Sequence, residues 1–335
     1  MLGQMLLVGF RGTSIDDSAP ILRDIKEHHL GGVILFDRDA QLQTLERNIV
    51  NPAQVRRLTQ QLRSAARTPL FIAVDQEGGR VCRLKEASGF LPLASAKTLG
   101  QGAPAITQAQ GLATGTALAD LGINLNFAPV VDVDVNPHSP AIGALERSYA
   151  ADPLTVAAHA RAMCAGLQAA GVLPCLKHFP GHGSATTDSH QGLTDITQTW
   201  SPQELIPYEL LIPLQASPCI MVGHLFLRQF DPDAPATLSP AILTTLLRHR
   251  LGFQGVIISD DMQMRAITDQ YGLEHALVRA VQAGVDILVF GNNLDYNPDI
   301  VPTALAILEQ AVHDGRLTME RIRQSYARIA ALKKL

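Results

Sequence analysis

The sequence predicts a single α/β domain over residues 1–335, a (β/α)8 barrel of the TIM type with some irregular or incomplete strands. Roughly eight short apolar runs alternate with longer amphipathic stretches along the whole chain, as parallel strands do when helices cover both faces of a sheet. No linker-like segment interrupts this alternation, and barrels of roughly 250 residues or more form one domain. A doubly wound sheet is the competing fold, but neither GxGxxG nor GxxxxGK[ST] is present to support it.

Each predicted strand is one of the apolar runs. They are Met5–Phe10, Gly32–Phe36, Leu70–Val74, Asn124–Val131, Leu173–Leu176, Cys219–Val222, Gly255–Ile258 and Asp286–Phe290. The N-terminal run lacks the basic residues and the small-residue cleavage site of a signal peptide, so we interpret it as the first buried strand. We therefore expect a cytoplasmic protein, with a periplasmic or secreted location only if a leader has been removed.

Helical periodicity and capping residues predict the helices. These are Pro52–Arg67, Pro153–Ala170, Leu273–Ala283, Val301–Val312 and Thr318–Leu332. Asp152 is a good N-cap with a proline after it, and Gly284 is a typical helix end. The polar stretch Asp37–Asn51 is predicted to be an extended βα loop.

Composition excludes several classes of function. The chain has 27 Lys and Arg against 31 Asp and Glu, which argues against binding nucleic acid or anionic lipid by charge. The apolar stretch from 205 to 227 contains prolines and a glutamate, so no membrane span is predicted. The four cysteines form no CxxC pair, and Cys175 and Cys219 are predicted to be buried thiols. No cofactor is predicted, and the oligomeric state is unknown.

Six of the predicted strands end in polar residues. These ends are Asp75, Asp132 with Asp134, Lys177-His178, His224, Ser259-Asp260-Asp261 and Asn292-Asn293. In a barrel, the C-terminal ends of the strands meet on one rim, where catalytic groups gather. The pattern predicts a polar pocket on that rim.

The residues near this rim suggest three kinds of site: a zinc site, a carboxylate–imidazole pair and an aspartate nucleophile. His178 and His182 have zinc-like spacing, but Pro180-Gly181 breaks the helix that such a site needs. Asp188 and His190 are close enough to form a carboxylate–imidazole pair, although a solvated loop pair remains the alternative. Asp260 follows a very apolar strand, which suits a rigidly held nucleophile, although a structural aspartate remains open as well.

Several motifs resemble glycoside hydrolase family 3, in its β-N-acetylglucosaminidase branch. They are KHFPGHG at 177–183, DSH at 188–190, SDDM at 259–262, VDQEGGRVCR at 74–83, ERSY at 146–149, PATLS at 235–239 and AGVDILVF at 283–290. The resemblance covers nearly the whole chain. It implies hydrolysis, with retention of configuration, of terminal non-reducing β-linked N-acetylglucosamine, typically in the recycling of cell-wall peptidoglycan. The β-glucosidase relatives have a second domain, for which we expect no room here.

The resemblance also implies roles for individual residues. Asp260 would be the nucleophile, and His190, paired with Asp188, would be the acid/base. The sugar pocket would contain Asp75, Arg83, Arg147, Lys177 and His178, with His224 as a wall residue. The departures are Ser184–Thr187, where relatives often have acidic residues, and Asp261 after the nucleophile. The expected substrate is a small glycan, either an N-acetylglucosamine-containing muropeptide or a chitooligosaccharide.

Four alternatives remain open at this point. Phosphate instead of water could attack the glycosyl-enzyme, which would make the protein a phosphorylase. The acetamido group of the substrate could act as nucleophile, supported by Asp260 and Asp261. The chain could be a non-catalytic sugar-binding barrel or a metal-dependent hydrolase.

Overall fold

A closed barrel of eight parallel strands, arranged in chain order, forms the centre of the molecule. The computed structural model describes residues 1–16, 18–187, 192 and 194–334. The barrel strands are β1 (Leu6–Gly9), β2 (Gly32–Ile34), β3 (Phe71–Val74), β4 (Leu125–Asn126), β5 (Leu173–Phe179), β6 (Cys219–Val222), β7 (Val256–Asp261) and β8 (Ile287–Phe290). β1 pairs with both β2 and β8, which closes the barrel and confirms the predicted fold class.

Helices surround the barrel. They are α1 (Pro20–Lys26), α2 (Pro52–Ala65), α3 (Ala96–Gly100), α4 (Pro104–Asp120), α5 (Pro153–Ala169), α6 (Ile206–Leu211), α7 (Arg265–Tyr271), α8 (Leu273–Ala283), α9 (Ile300–His313) and α10 (Met319–Lys333), with a π-helix at Ala241–Arg250. Asp152 caps α5 as predicted, accepting hydrogen bonds from the backbone N–H groups of Leu154 and Thr155. Over the described residues, the structure has no helix with the length and apolarity required to cross a membrane.

Short β-ribbons and 3₁₀-helices lie outside the barrel strands. Two antiparallel ribbons pair Arg38–Asp39 with Thr44–Leu45 and Gln76–Gly78 with Val81–Cys82. The predicted loop 37–51 therefore contains a small hairpin. Thr194–Asp195 pairs in parallel with Leu225–Phe226. Short 3₁₀-helices lie at Glu86–Ser88, Gly143–Leu145, Pro202–Leu205 and Ala236–Leu238, and another, Leu2–Met5, directly precedes β1 at the N-terminal end of the barrel strands.

The barrel strands are buried on both faces, as their continuous apolar sequences predict. All residues of β1, β3, β6 and β8 are buried. All four cysteines are buried free thiols, so the prediction for Cys175 and Cys219 is confirmed.

Two strands run further than the sequence suggested. β5 and β7 were expected to end at Leu176 and Ile258, but they continue to Phe179 and Asp261. The last residue of each strand is paired again after a shift in register, since Phe179 lies opposite Val222 and Asp261 lies opposite Val289. Polar side chains at these ends are therefore carried by strand backbone and not by loops.

One strand is much shorter than predicted. The run 124–131 contributes only Leu125–Asn126 to β4, and Val130 adds a single isolated bridge to Lys177. Pro129 lies in this run and has no backbone N–H to donate to a ladder. Beyond β4 the chain stays hydrogen-bonded to β5 in an irregular way, since the N–H of Cys175 donates to the carbonyl of Ala128 and the N–H of Val131 donates to the carbonyl of Lys177. Asp132 follows directly after this irregular segment.

Candidate active site

A cavity of about 300 Å³ opens at the C-terminal ends of the barrel strands. Its apolar lining includes Ile34, Phe127, Met221 and Val289. The charged and polar groups around it are Asp37, Arg38, Asp75, Arg83, Arg147, Lys177, His178, Asp260, Asp261 and Asn293. This volume is at the lower end of the range for small-molecule sites. Six residues selected from the sequence therefore share one cavity: Asp75, Arg83, Arg147, Lys177, His178 and Asp260.

Lys177 is the central cation of the cavity and is almost fully buried. Its Nζ lies 2.8 Å from Asp75 Oδ1 and 2.6 Å from Glu77 Oε1. Burial alone lowers the pKa of Lys177, but the two carboxylates more than offset this effect, and the pKa lies above its usual value. Lys177 therefore stays charged and can donate to an oxygen of a bound ligand.

Arg147 is fixed by a two-pronged ion pair with Glu77. Its Nε and Nη2 each donate to a Glu77 oxygen at 2.8 Å, and its Nη1 donates to the carbonyl of Ala141 at 2.8 Å. Burial raises the pKa of Glu77, but Arg147 and Lys177 favour its anion and bring that pKa to about 2. Glu77 is not among the site residues predicted from the sequence, although it follows Asp75 by two residues.

Asp75 lies between two cations at the cavity wall. Arg83 Nη2 lies 3.6 Å from Asp75 Oδ2, on the side opposite the Lys177 contact. Burial raises the pKa of Asp75, but Lys177 and Arg83 reverse that effect, and the pKa lies below its usual value. Asp75 is therefore an anionic acceptor that can receive hydrogen bonds from hydroxyl groups.

His178 is held from behind by Asp132, a carboxylate with no solvent exposure. His178 Nδ1 lies 2.7 Å from Asp132 Oδ2, and His178 Nε2 lies 3.3 Å from Arg147 Nη2. His182 also packs here, and its pKa falls to about 4 because it is buried and lies beside His178. Asp132 was noted in the sequence as a strand-end residue but was not assigned to the site.

The two adjacent aspartates at the end of β7 differ in their surroundings. Asp261 Oδ1 accepts the backbone N–H groups of Gly291 and Gln263 at 2.9 and 3.0 Å, which ties β7 to the residues after β8. Asp260 lines the cavity with the charged groups described above, and its Oδ1 accepts the N–H of Asp261 at 2.8 Å. Both aspartates line the cavity, but Asp261 is held by two backbone N–H groups that join β7 to the residues after β8, so Asp260 is the stronger candidate to meet a ligand.

His224 lies behind the wall of the cavity. It is fully buried, its Nδ1 lies 2.7 Å from Thr237 Oγ1, and its Nε2 lies 2.9 Å from the carbonyl of Asp261. The described residues that line the cavity do not include His224. These contacts support the end of β7 and so act on Asp260 through the backbone.

The sequence matches a known family over almost its whole length. Residues 1–332 match the family described as the glycosyl hydrolase family 3 N-terminal domain. The chain belongs to glycosyl hydrolase family 3.

Relatives of this family 3 protein include β-hexosaminidase LpqI of Mycobacterium tuberculosis, 38% identical over 342 residues that cover 99% of this chain and 81% of the relative. A family 3 β-N-acetylglucosaminidase from Paenibacillus sp. str. FPU-7 has a similar structure, with a TM-score of 0.90, 35% identity, and coverage of 99% of this chain and 61% of its own. The β-N-acetylhexosaminidase of Beutenbergia cavernae superposes with a TM-score of 0.88 at 29% identity, covering 100% of this chain and 97% of that chain.

Some relatives are considerably longer. β-hexosaminidase A of Pseudoalteromonas piscicida is 36% identical over 371 residues, which cover 99% of this chain but only 60% of that protein. The family 3 chain described here therefore spans about 60% of that relative.

The predicted acid/base pair lies outside the described residues. Asp188 and His190 belong to the stretch after Thr187, and their roles remain predictions. The described residues on either side are linked, because Thr187 Oγ1 lies 3.4 Å from Thr194 Oγ1, and Thr194 is fully buried.

Glu204 fastens the start of the loop that leads to this stretch. Its side chain has no solvent exposure, and its Oε2 accepts the backbone N–H groups of Gly183 and Ser184 at 3.0 and 3.3 Å. A Cβ added to Gly181 would lie 2.7 Å from the Glu204 Cβ, so the loop backbone packs directly on this side chain. Glu204 was not predicted as a site residue. Ser201 and Glu204 have the spacing of a capping box, and the structure shows that they form one.

Glu204 should make the stability of this family 3 barrel depend on pH. Burial raises its pKa from 4.5 to about 7, so the folded state binds more protons than the unfolded state between those values. The free energy of unfolding should therefore fall as pH rises through this window, by about 3 kcal/mol from this residue. Urea unfolding at pH 5 and pH 8 measures the pH dependence, and Glu204→Gln should lack the fall that this residue contributes. Glu209→Gln, on the exposed side of α6, is the control; an equal slope in wild type and Glu204→Gln contradicts the prediction.

A larger open groove of about 890 Å³ adjoins the cavity. Leu294 lines both spaces, and the groove also contains Arg265, Asp269 and Asp295 but none of the charged cluster around Lys177. Across the part of the chain that the structure describes, no group of three or more His, Cys, Asp or Glu side chains is arranged to hold a metal ion.

Proposed function

We propose that this protein is a retaining exo-β-N-acetylglucosaminidase that releases terminal non-reducing β-linked N-acetylglucosamine from peptidoglycan fragments. The observation that carries the proposal is the position of Asp260. A strand-held carboxylate lines the same small cavity as the donors Lys177, Arg83 and Arg147 and the acceptor Asp75. Family membership supports it, as do relatives named β-hexosaminidase and β-N-acetylglucosaminidase.

In the first chemical step, Asp260 attacks the anomeric carbon and forms a covalent glycosyl-enzyme while the glycosidic C–O bond breaks. His190 donates a proton to the departing oxygen, and Asp188 orients the imidazole. In the second step, His190 takes a proton from water, whose oxygen attacks the anomeric carbon and releases Asp260. Two inversions at one carbon give net retention.

An imidazole suits this position electrostatically. Unperturbed histidine titrates near about 6.5, so it can donate and then accept a proton at neutral pH without strong tuning. A second carboxylic acid beside Asp260 would require a strongly raised pKa to stay protonated. The acid/base role of His190 therefore needs less help from its surroundings than a carboxylate would.

The cavity provides complementary groups for a sugar ring. Lys177, Arg83 and Arg147 donate hydrogen bonds, whereas Asp75 accepts them, so hydroxyls can be bound in both senses. The apolar wall formed by Phe127 and Met221 can cover a ring face or the acetamido methyl group. The rest of the glycan would leave the cavity across Leu294 toward the adjoining groove.

A panel of p-nitrophenyl glycosides tests the proposal. We expect release of p-nitrophenol from the N-acetyl-β-glucosaminide, and β-N-acetylglucosamine as the first product detected by NMR. Anhydromuropeptide and chitobiose, assayed side by side, separate the peptidoglycan substrate from a chitooligosaccharide. A first-formed α-anomer contradicts retention, and a rate that depends on added phosphate, with sugar phosphate as product, identifies a phosphorylase.

His190→Ala should reveal the acid by its dependence on the leaving group. Turnover of alkyl or sugar leaving groups should fall by about 10²–10⁴-fold, because these need protonation to depart. Dinitrophenyl glycosides, whose leaving group departs as a stable anion, should lose much less activity in the glycosylation step. Burst and steady-state rates for both substrates measure this difference, and equal losses would exclude His190 as the acid.

A further inference from the structure

We propose that Asp132 is a positioning residue that makes His178 a hydrogen-bond acceptor toward the substrate, and so selects for a donating hydroxyl on the sugar. The inference deepens the proposed glycosidase function and rests on it. Asp132 itself does not line the cavity among the described residues; it acts through the imidazole.

The carboxylate of Asp132 is surrounded by donors. Its Oδ1 accepts the backbone N–H groups of His178 at 3.1 Å and His182 at 2.8 Å. Its Oδ2 meets His178 Nδ1 at 2.7 Å. Because the side chain has no solvent exposure, water does not compete for these contacts.

The proton on His178 follows from these contacts. Burial raises the pKa of Asp132, but the imidazole of His178 and the N–H of His182 reverse this effect, so the pKa lies below its usual value. An ionised carboxylate only accepts, so His178 Nδ1 must carry the hydrogen. On the other side of the ring, Nε2 lies 3.3 Å from Arg147 Nη2, and because guanidinium only donates, Nε2 must present its lone pair.

This arrangement has a consequence for substrate recognition. Arg147 is held mainly by Glu77, with two hydrogen bonds of 2.8 Å, and its contact with His178 Nε2 is long at 3.3 Å. A sugar hydroxyl can therefore share or take the Nε2 lone pair, and it must do so as the donor. A substrate with fluorine in place of that hydroxyl cannot donate and should be rejected.

Asp132→Asn should reverse this preference. An Asn that keeps its oxygen on the two backbone N–H groups turns its NH₂ toward His178 Nδ1, which then becomes the acceptor. The proton moves to Nε2, where it faces Arg147 and the sugar. Such a change of tautomer by an aspartate-to-asparagine substitution is known to impair imidazole function in other enzymes.

The experiment compares p-nitrophenyl N-acetyl-β-glucosaminide with its 3-, 4- and 6-deoxyfluoro analogues. The kcat/KM is measured for each glycoside, and the Kd of each corresponding free sugar is measured by calorimetry. In wild type, one analogue should be about 10²-fold or more worse than the parent, because a site built to bind a hydroxyl rejects its absence strongly. In Asp132→Asn, that ratio should shrink at least 10-fold. Glu204→Gln, which replaces a buried carboxylate that accepts hydrogen bonds from Gly183 and Ser184 and has no hydrogen bond to His178, should leave the ratio unchanged.

A second readout does not require activity. The ¹⁵N NMR spectrum of wild-type His178 should show Nδ1 protonated and Nε2 unprotonated, and Asp132→Asn should exchange the two. Wild-type protein without the Nδ1-protonated form, or an equal loss on all four substrates in Asp132→Asn, overturns the inference. Absence of wild-type activity on the parent glycoside would instead overturn the proposed function, while the NMR and calorimetric results would still decide the role of Asp132.

Discussion

Asp260→Asn is expected to lower kcat/KM for p-nitrophenyl N-acetyl-β-glucosaminide by about 10⁴-fold or more, which is the scale seen when a catalytic nucleophile is removed. The amide is isosteric but cannot form the glycosyl-enzyme. Because β7 extends through Asp261, Asp260 is carried by paired strand backbone beside the cavity, and its replacement should not move the neighbouring groups.

Asp261→Asn is the matched control for this effect. The Oδ1 of Asp261 accepts both backbone N–H groups, from Gly291 and Gln263, and the amide oxygen of asparagine can accept them as well. We therefore expect a small effect on kcat/KM in this variant. A comparable loss in both variants would mean that the end of β7 is sensitive as a whole and that Asp260 has no special role.

A slow fluorinated substrate separates the nucleophile from its main rival. If Asp260 attacks the anomeric carbon, the trapped glycosyl group should be found by mass spectrometry on the peptide that contains residue 260. If the acetamido group of the substrate were the nucleophile, no covalent adduct would form on the protein. Unlabelled but catalytically active protein would therefore contradict the role of Asp260.

The apolar runs were sufficient to predict the barrel, but not where its strands end. At β5 and β7, the change from apolar to polar residues was interpreted as the end of a strand. The strands in fact continue past Lys177, His178 and Asp260, which lie where the pairing register shifts, between Leu176 and Phe179 and between Ile258 and Asp261. These side chains line a cavity that accepts polar groups. The polarity of a side chain reflects the surroundings that it faces, whereas strand pairing depends on the hydrogen bonds of the backbone.

Helix α4 was missed for a different reason. Its buried face consists of Thr107, Gly111, Thr114, Gly115 and Leu118, so it lacks the apolar stripe that periodicity detects. Glycines allow α4 and α5 to pack backbone against backbone: a Cβ on Gly166 would lie 2.4 Å from the carbonyl oxygen of Gln108. Helices that pack closely through small residues therefore do not show the apolar periodicity from which helices are predicted.

The sequence identified residues that line the cavity, but not the residues that hold them in place. Residues that line the cavity follow strand ends and stand in recognisable motifs. Glu77, Asp132 and Glu204 instead act on groups far away in sequence, such as Arg147, which is 70 residues from Glu77. A partner at that distance becomes visible only when the folded barrel brings the two segments together.

Asp286→Asn should cause the largest loss of stability, at the end of the barrel opposite the cavity. Asp286 directly precedes β8, has no solvent exposure, and lies 2.6 Å from Arg248, 3.2 Å from Arg321 and 3.1 Å from Arg328. It also accepts hydrogen bonds from Ser325 Oγ at 2.8 Å and from the backbone N–H of Ile257 at 3.0 Å. One carboxylate therefore joins β7, β8, the π-helix and α10.

Removing this charge leaves buried cations without their partner. Burial lowers the pKa of Arg248 to about 10 even with Asp286 present, which shows how strongly this site disfavours an unpaired charge. We expect the free energy of unfolding to fall by about 3–5 kcal/mol, as when one member of a buried ion pair is removed. Urea unfolding measures the change, and Asp314→Asn, which disrupts an ion pair with Arg316 at the surface, should change stability little.

The same variant also tests whether the two ends of the barrel are independent. Asp286 lies at the N-terminal end of β8, whereas the cavity lies at the C-terminal ends of the strands. Conditions that keep Asp286→Asn folded should therefore leave kcat per folded molecule unchanged. Within the described part of the chain, the ion pairs of Asp286 with Arg248, Arg321 and Arg328 include no member of the cluster around Lys177. β7 contains both Ile257, whose N–H donates to Asp286, and Asp260. A fall in kcat without unfolding would therefore mean that β7 transmits the disturbance from one end of the barrel to the other.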